Sequence, residues 1–184
     1  MTKFNIHTLE SAPEASKPAL QKLKESVGLI PNLAAAMSES PTLIEAFVAL
    51  RGAYQSGSFS PIEREVISLT NAVANRCGWC VAAHSTFALK VNTPPDEVES
   101  LRAGQAPEDP RLKALSNFAQ KMTTTRGQIS EADLRAFLAA GYTKAQALEV
   151  IVGVAFSVLA NYANHLADAP VDEFLRPQAW KASV

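Results

Sequence analysis

The sequence has almost no surplus charge: 17 Lys plus Arg stand against 18 Asp plus Glu, for a net charge of -1. A nucleic-acid surface or a polybasic membrane anchor needs a basic excess, so neither is expected. Glycine is scarce at 8 residues, and no alternating run is bounded by hairpin dipeptides, so strands are not expected. Long apolar runs are lacking too. The most apolar stretch, residues 147–160, is interrupted by Glu149 and Ser157 and is shorter than a bilayer-spanning segment. The opening residues Met1 to His7 contain no apolar signal region. A soluble, cytoplasmic protein is the expectation, with no membrane and no nucleic-acid partner. Cysteine is nearly absent, at 2 residues in 184, which excludes a disulfide scaffold.

What the chain has is alanine, 31 residues of it, and prolines placed at the edges of apolar runs. These give a series of helix starts. Residues 13–26 and 31–38 read as the first two helices, and Pro41 opens a third. Ser60-Pro61-Ile62-Glu63 is a capping box with proline at the first helical position. Ile62, Val66, Leu69 and Val73 follow at helical spacing. A break at residues 76–78 precedes a helix over 79–90. Further helices are read over 96–102, 111–125 and 131–140. A second capping pattern, Thr143 and Gln146, opens a long helix to about residue 168. The expected fold is all-α, one domain over 1–184. It divides into an N-terminal helical part (1–60), a core (61–92) and C-terminal helices (108–170).

Both cysteines lie in Cys77-Gly78-Trp79-Cys80. Random placement would put two cysteines three apart about once in a hundred sequences. Four readings are open. A thioredoxin-type centre expects strands alternating with helices. A structural zinc site needs four ligands, and only His7, His84 and His165 could join as imidazoles. Buried inert thiols are common. The last reading is a dithiol centre on a helical scaffold. His84 bears on it, because a residue four positions after Cys80 shares its helix face. If that helix starts at Gly78, its unpaired N–H groups favour a thiolate at Cys80 in the first turn. Glu65 is the third candidate. On spacing alone it is a helix-edge carboxylate paired with Arg64 or Arg76. One straight helix would hold it about 18 Å from Cys77. A chain reversal at 76–78 would instead bring it to His84, and a carboxylate–imidazole–thiol relay becomes possible.

Glu65, eleven residues, then Cys77-x-x-Cys80-x-x-x-His84 resembles the core of the alkylhydroperoxidase D branch of the carboxymuconolactone decarboxylase family. Gly28-Leu29-Ile30-Pro31-Asn32-Leu33 is similar to the N-terminal part of its peroxidase-related members. Asn161-Tyr162-Ala163-Asn164-His165 is similar to their long C-terminal helix. The resemblance implies antiparallel helices around a CxxC-bearing helix start, in a homo-oligomer, a trimer or hexamer. It implies a thiol-dependent reductase of organic hydroperoxides or hydrogen peroxide, recycled by an external dithiol through a redox-active disulfide, with no metal or other cofactor. In that pattern Cys80 becomes the sulfenic acid, Cys77 resolves it, and His84 with Glu65 forms the relay. The sequence departs from the well-studied peroxidases at one place: Gly78 and Trp79 stand where those carry a histidine between the cysteines. Ser157, Asn161 and His165, spaced four apart, form a polar stripe that either contacts solvent or a subunit, or lines the cavity leading to the dithiol. Trp79 either walls that cavity or fills core, and Gly153 reads as a close-packing contact. The competing functions are the lactone decarboxylation that names the family and a non-enzymatic redox sensor.

Overall fold

The computed structural model describes residues 4–182, and among them every regular element is helical. Nine α-helices follow in order: α1 Lys17–Val27, α2 Asn32–Met37, α3 Pro41–Gln55, α4 Pro61–Ala74, α5 Gly78–Lys90, α6 Pro95–Arg102, α7 Pro110–Thr124, α8 Glu131–Ala139 and α9 Lys144–Ala167. Short 3₁₀ turns, Glu14–Ser16 and Glu173–Gln178, flank them. The expected first helix over 13–26 is therefore split. Pro18 has no N–H to bond back into the preceding turn, so the α-helix restarts with Pro18 inside its own first turn.

The two sequence-read capping boxes both form. Ser60 accepts from the Glu63 N–H while Glu63 accepts from the Ser60 N–H, and Thr143 and Gln146 do the same for α9. The chain reverses where a break was expected. Arg76 adopts a left-handed φ of 57°, and the Cys77 N–H reaches back to the Ala72 carbonyl at 2.9 Å. That pair of features closes α4 in a Schellman-type stop and sends α5 back along it.

α4 is the hub, packing against α5, α6, α7 and α9. Val66, Ile67, Leu69 and Ala72 on it are fully buried. α9 lies across α3 and α4 at close range because Gly153 has no side chain. A Cβ there would meet Tyr54 at 2.8 Å and Ile67 at 2.9 Å. The expected close-packing role of Gly153 follows from those two contacts. α9 is also, by length and composition, long and apolar enough to cross a membrane, although the apolar run within it read as too short. A helix at the core of a helical domain has the same properties, and α9 packs on α2, α3, α4 and α7. Glu149, which interrupts the run, accepts from the Ser58 N–H and hydroxyl at 2.9 and 2.8 Å and holds the α3–α4 loop. The C-terminal turn packs on the far side of α5, where Leu175 is buried against Ala82 and Ala83.

Candidate active site

Cys77 is the N-cap of α5 and is joined to Cys80 by a disulfide. Its sulfur accepts the Cys80 N–H at 3.3 Å. The first-turn donor expected to favour charge on Cys80 is thus directed at Cys77. Both sulfurs are buried, but only Cys80 lines the large cavity described below.

The reversal at Arg76 sets α4 and α5 side by side, and Glu65 Oε2 meets His84 Nδ1 at 2.8 Å. The side chains are 18% and 13% exposed, so the pair is largely shielded. A carboxylate can only accept, so Nδ1 carries the proton of this bond and Nε2 is the ring's remaining acceptor. His84 and Cys80 share one face of α5, about 6 Å apart along its axis. Three of the sequence candidates therefore converge.

They converge on a cavity of about 320 Å³. Trp79, Cys80, Ala83, His84, Phe87 and Lys90 contribute a continuous stripe of α5 to its wall. Phe47, Arg51 and Tyr54 of α3, Glu65 and Ser68 of α4, and Phe156 and Ala160 of α9 close it. Phe156 stacks on Phe47 with ring centroids 5.2 Å apart. Burial pushes the Tyr54 hydroxyl far above its ordinary range, so it stays a neutral phenol that donates to the Arg64 carbonyl at 2.8 Å. The space is mostly apolar, with polar and charged side chains set among the apolar ones, as small-molecule sites usually are.

Trp79 walls this cavity. Its indole N–H donates to Asp172 Oδ2 at 3.0 Å, and Asp172 also accepts the backbone N–H of Asn32 at the start of α2. Burial raises the Asp172 pKa from the ordinary carboxylate value, against the lowering effect of these donors. The Gly28–Asn32 stretch thus acquires a structural task. Pro31 lines the cavity, and Asn32 anchors the carboxylate that positions Trp79. The other residue between the cysteines, Gly78, faces the Trp180 carbonyl, 3.0 Å from where a Cβ would stand. Asp172 and Arg51 went unrecognised in the sequence. Both are ordinary charged residues there, and only the folded contacts mark them.

Asn161 and His165 are not brought to this cavity. Asn161 is buried and accepts from the Asn75 side chain at 2.8 Å, while His165 is exposed, its ring centroid 6.5 Å from that of Tyr162. The cavity-lining stripe of α9 is instead Phe156–Ala160, one position earlier. One residue is 100° of rotation on a helix, enough to turn the polar stripe toward α4. No group of three or more His, Cys, Asp or Glu able to hold a metal occurs among the described residues.

Residues 41–121 match the model of the carboxymuconolactone decarboxylase family. By sequence alone, none of the curated proteins matches this chain. Among solved structures it is similar to an alkylhydroperoxidase AhpD-core, peroxidase-related protein from Ralstonia eutropha JMP134. That match has TM-score 0.84 and 23% identity, and covers 95% of this chain and 94% of that one. A peroxidase-related protein from Silicibacter sp. TM1040 matches with TM-score 0.79 and 21% identity over 96% and 93% of the two chains. The debrominase Bmp8, solved in complex with 2,3,4-tribromopyrrole, matches with TM-score 0.80 and 18% identity over 97% and 96%. Residues 41–121 thus resemble the carboxymuconolactone decarboxylase family, and over nearly its whole length the chain has the fold of the AhpD-like, peroxidase-related structures.

Proposed function

We propose that the protein is a thiol-dependent hydroperoxide reductase, and that the disulfide form described here is the oxidised half of its cycle. The observation that carries this reading is the convergence of Cys80, His84 and Glu65 on one apolar-walled cavity. In the reduced protein, His84 Nε2 takes the Cys80 proton, and the thiolate attacks the terminal oxygen of the hydroperoxide. The O–O bond breaks, the alkoxide takes the proton from His84, and the alcohol leaves, with Cys80 oxidised to sulfenic acid. Cys77 then attacks the Cys80 sulfur and water departs with the Cys77 proton. Two thiols have supplied the two electrons, and the Cys77–Cys80 disulfide results. An external dithiol restores both thiols by exchange and becomes a disulfide itself. The N–H on Cys77 sulfur stabilises that sulfur as a leaving thiolate when a reductant attacks Cys80 from the cavity. Glu65 holds the imidazole with Nε2 available.

The test is steady-state reduction of cumene hydroperoxide by the reduced protein with dihydrolipoamide as regenerating dithiol. Sustained turnover supports the reading. Stoichiometric oxidation without recycling supports a sensor, and no oxidation at all supports a decarboxylase or a scaffold. A second reading draws on the aromatic cavity walls and the fold shared with the debrominase. The same dithiol could reduce an aryl halide, giving the dehalogenated arene, halide, a proton and the disulfide. Bromide release from a bromopyrrole discriminates it.

The chain is further proposed to act as a homo-oligomer in the reducing cytoplasm. Leu148, Ile151, Tyr162 and Leu166 recur on one side of α9 and stand exposed. A single species of 19.7 kDa in light scattering at micromolar concentration would exclude association.

A further inference from the structure

The cavity carries an imbalance that the dithiol chemistry does not use. Its lining holds three cationic side chains, Arg51, Arg64 and Lys90, and one carboxylate, Glu65. Glu65 is committed to His84. The Arg64 guanidinium donates to the Phe59 carbonyl. Lys90 lies over the Phe87 and Phe174 rings, 5.8 and 5.7 Å from their centroids, and is exposed. Arg51 is different. It is half-buried on the cavity face of α3, between Phe47 and Tyr54, and no ion pair to it occurs among the described residues. Its side chain donates to the hydroxyl of Ser26, another lining residue, at 3.2 Å. Burial lowers its pKa, with the field of Glu65 opposing, so its cost of desolvation is not fully offset within the protein. A guanidinium presents five donors in a planar fork that fits a carboxylate. Around it the walls are alkyl and aromatic: Leu23, Val27, Phe47 and Phe156. Along α5 the lining runs from Cys80 to Lys90, about 15 Å, long enough for an extended chain.

We propose that this cavity selects amphipathic carboxylates, with the acid group on the Arg51 guanidinium and the apolar body along the aromatic walls. Resting on the peroxidase reading, the substrate class is then a hydroperoxide of a fatty or aryl carboxylic acid.

The binding arm does not depend on turnover. Decanoate and methyl decanoate are titrated against the oxidised protein and followed by tryptophan emission, because Trp79 lines the cavity. The acid should bind about 10- to 100-fold more tightly than the ester, the value of one charge-assisted bidentate contact. Arg51→Gln should bring that ratio close to one, and Arg51→Lys should retain part of it. In turnover, 13-hydroperoxyoctadecadienoic acid should exceed its methyl ester in kcat/KM by a similar factor, with the same collapse in Arg51→Gln. Equal binding of acid and ester by the wild type, or an undiminished ratio in Arg51→Gln, overturns the proposal. An equal loss for acid and ester also overturns it, because Arg51 would then act through Glu65. Selective acid binding without any hydroperoxide turnover sustains the proposal and removes only the peroxidase reading.

Discussion

Glu63 and Glu65 stand two residues apart on α4, both largely shielded and both paired, yet their surroundings differ. Two residues turn a helix by about 200°, so the side chains leave on nearly opposite faces. Glu63 is saturated. Its Oε2 accepts the Ser60 N–H at 2.8 Å, and its Oε1 accepts Arg111 Nε and Nη2 at 3.2 and 3.0 Å. Burial alone would raise its pKa, but the Ser60 and Arg111 donors hold it below the ordinary carboxylate value. Glu65 makes one bond, to an imidazole that lines a mostly apolar cavity beside a dithiol. A carboxylate bound to non-titrating donors on every side fixes a helix end. One bound to a histidine at a cavity can orient a proton carrier.

The sharpest divide is at the sulfurs on the Glu65 side. Cys80→Ser should abolish hydroperoxide reduction, whereas Cys77→Ser should consume about one equivalent and stop at the sulfenic acid. Peroxide consumption with mass analysis of the intact protein reads both, and the reverse pattern would exchange the roles of the two cysteines. Glu65→Gln comes next, lowering turnover by about 10- to 1000-fold while the fold survives, since no core volume changes. Unaltered turnover in that variant would make Glu65 as structural as its neighbour.

On the other face, Glu63→Ala should cost about 1–3 kcal/mol, from the lost capping and Arg111 bonds. At this chain length that is a Tm fall of roughly 2–4 °C per kcal/mol, seen by calorimetry. Its pH signature has a definite sign. Because the folded pKa is lowered, the Glu63 contribution is present above the unfolded carboxylate value and lost as pH falls through the folded one. Glu63→Gln should therefore flatten the acid limb of a Tm-against-pH curve. An unchanged acid limb would place the titrating stability elsewhere.

Asp172 gives the smallest effect and the opposite sign. Its raised folded pKa makes its contribution fully present below the unfolded value and lost as pH rises through the folded one. Asp172→Asn should weaken that rise-dependent loss slightly and shift Trp79 emission. If Trp79 emission stays fixed, the Asp172 bond does not position the indole.

Much of this was readable in the residues. Ser60 and Glu63 announced the start of α4, and Thr143 and Gln146 the start of α9, because a capping box is a local exchange of bonds between residues three apart. The Cys80–His84 pairing was readable for the same reason, since four residues make one helical turn. The Pro18 split was missed, although its cause is local, because the apolar spacing ran through it. The Asn161 stripe was legible as a stripe, but spacing alone left a solvent or subunit face and a cavity lining both open. Asn161 bonds to Asn75 at the C-cap of α4, and Phe156 and Ala160 face the cavity.

The sequence by itself determined where most helices begin and end, that the fold is all-α, and that both thiols and an imidazole share one helix start. These follow from interactions within one turn of chain. Tertiary structure alone decided that Glu65 reaches His84 across the Arg76 reversal, that Asp172 reaches Trp79 from 93 residues away, and that Arg51 faces the same cavity as Cys80. Helical periodicity fixes which residues share a face. It does not fix the rotation of one helix against another, and that rotation sets which face meets the cavity.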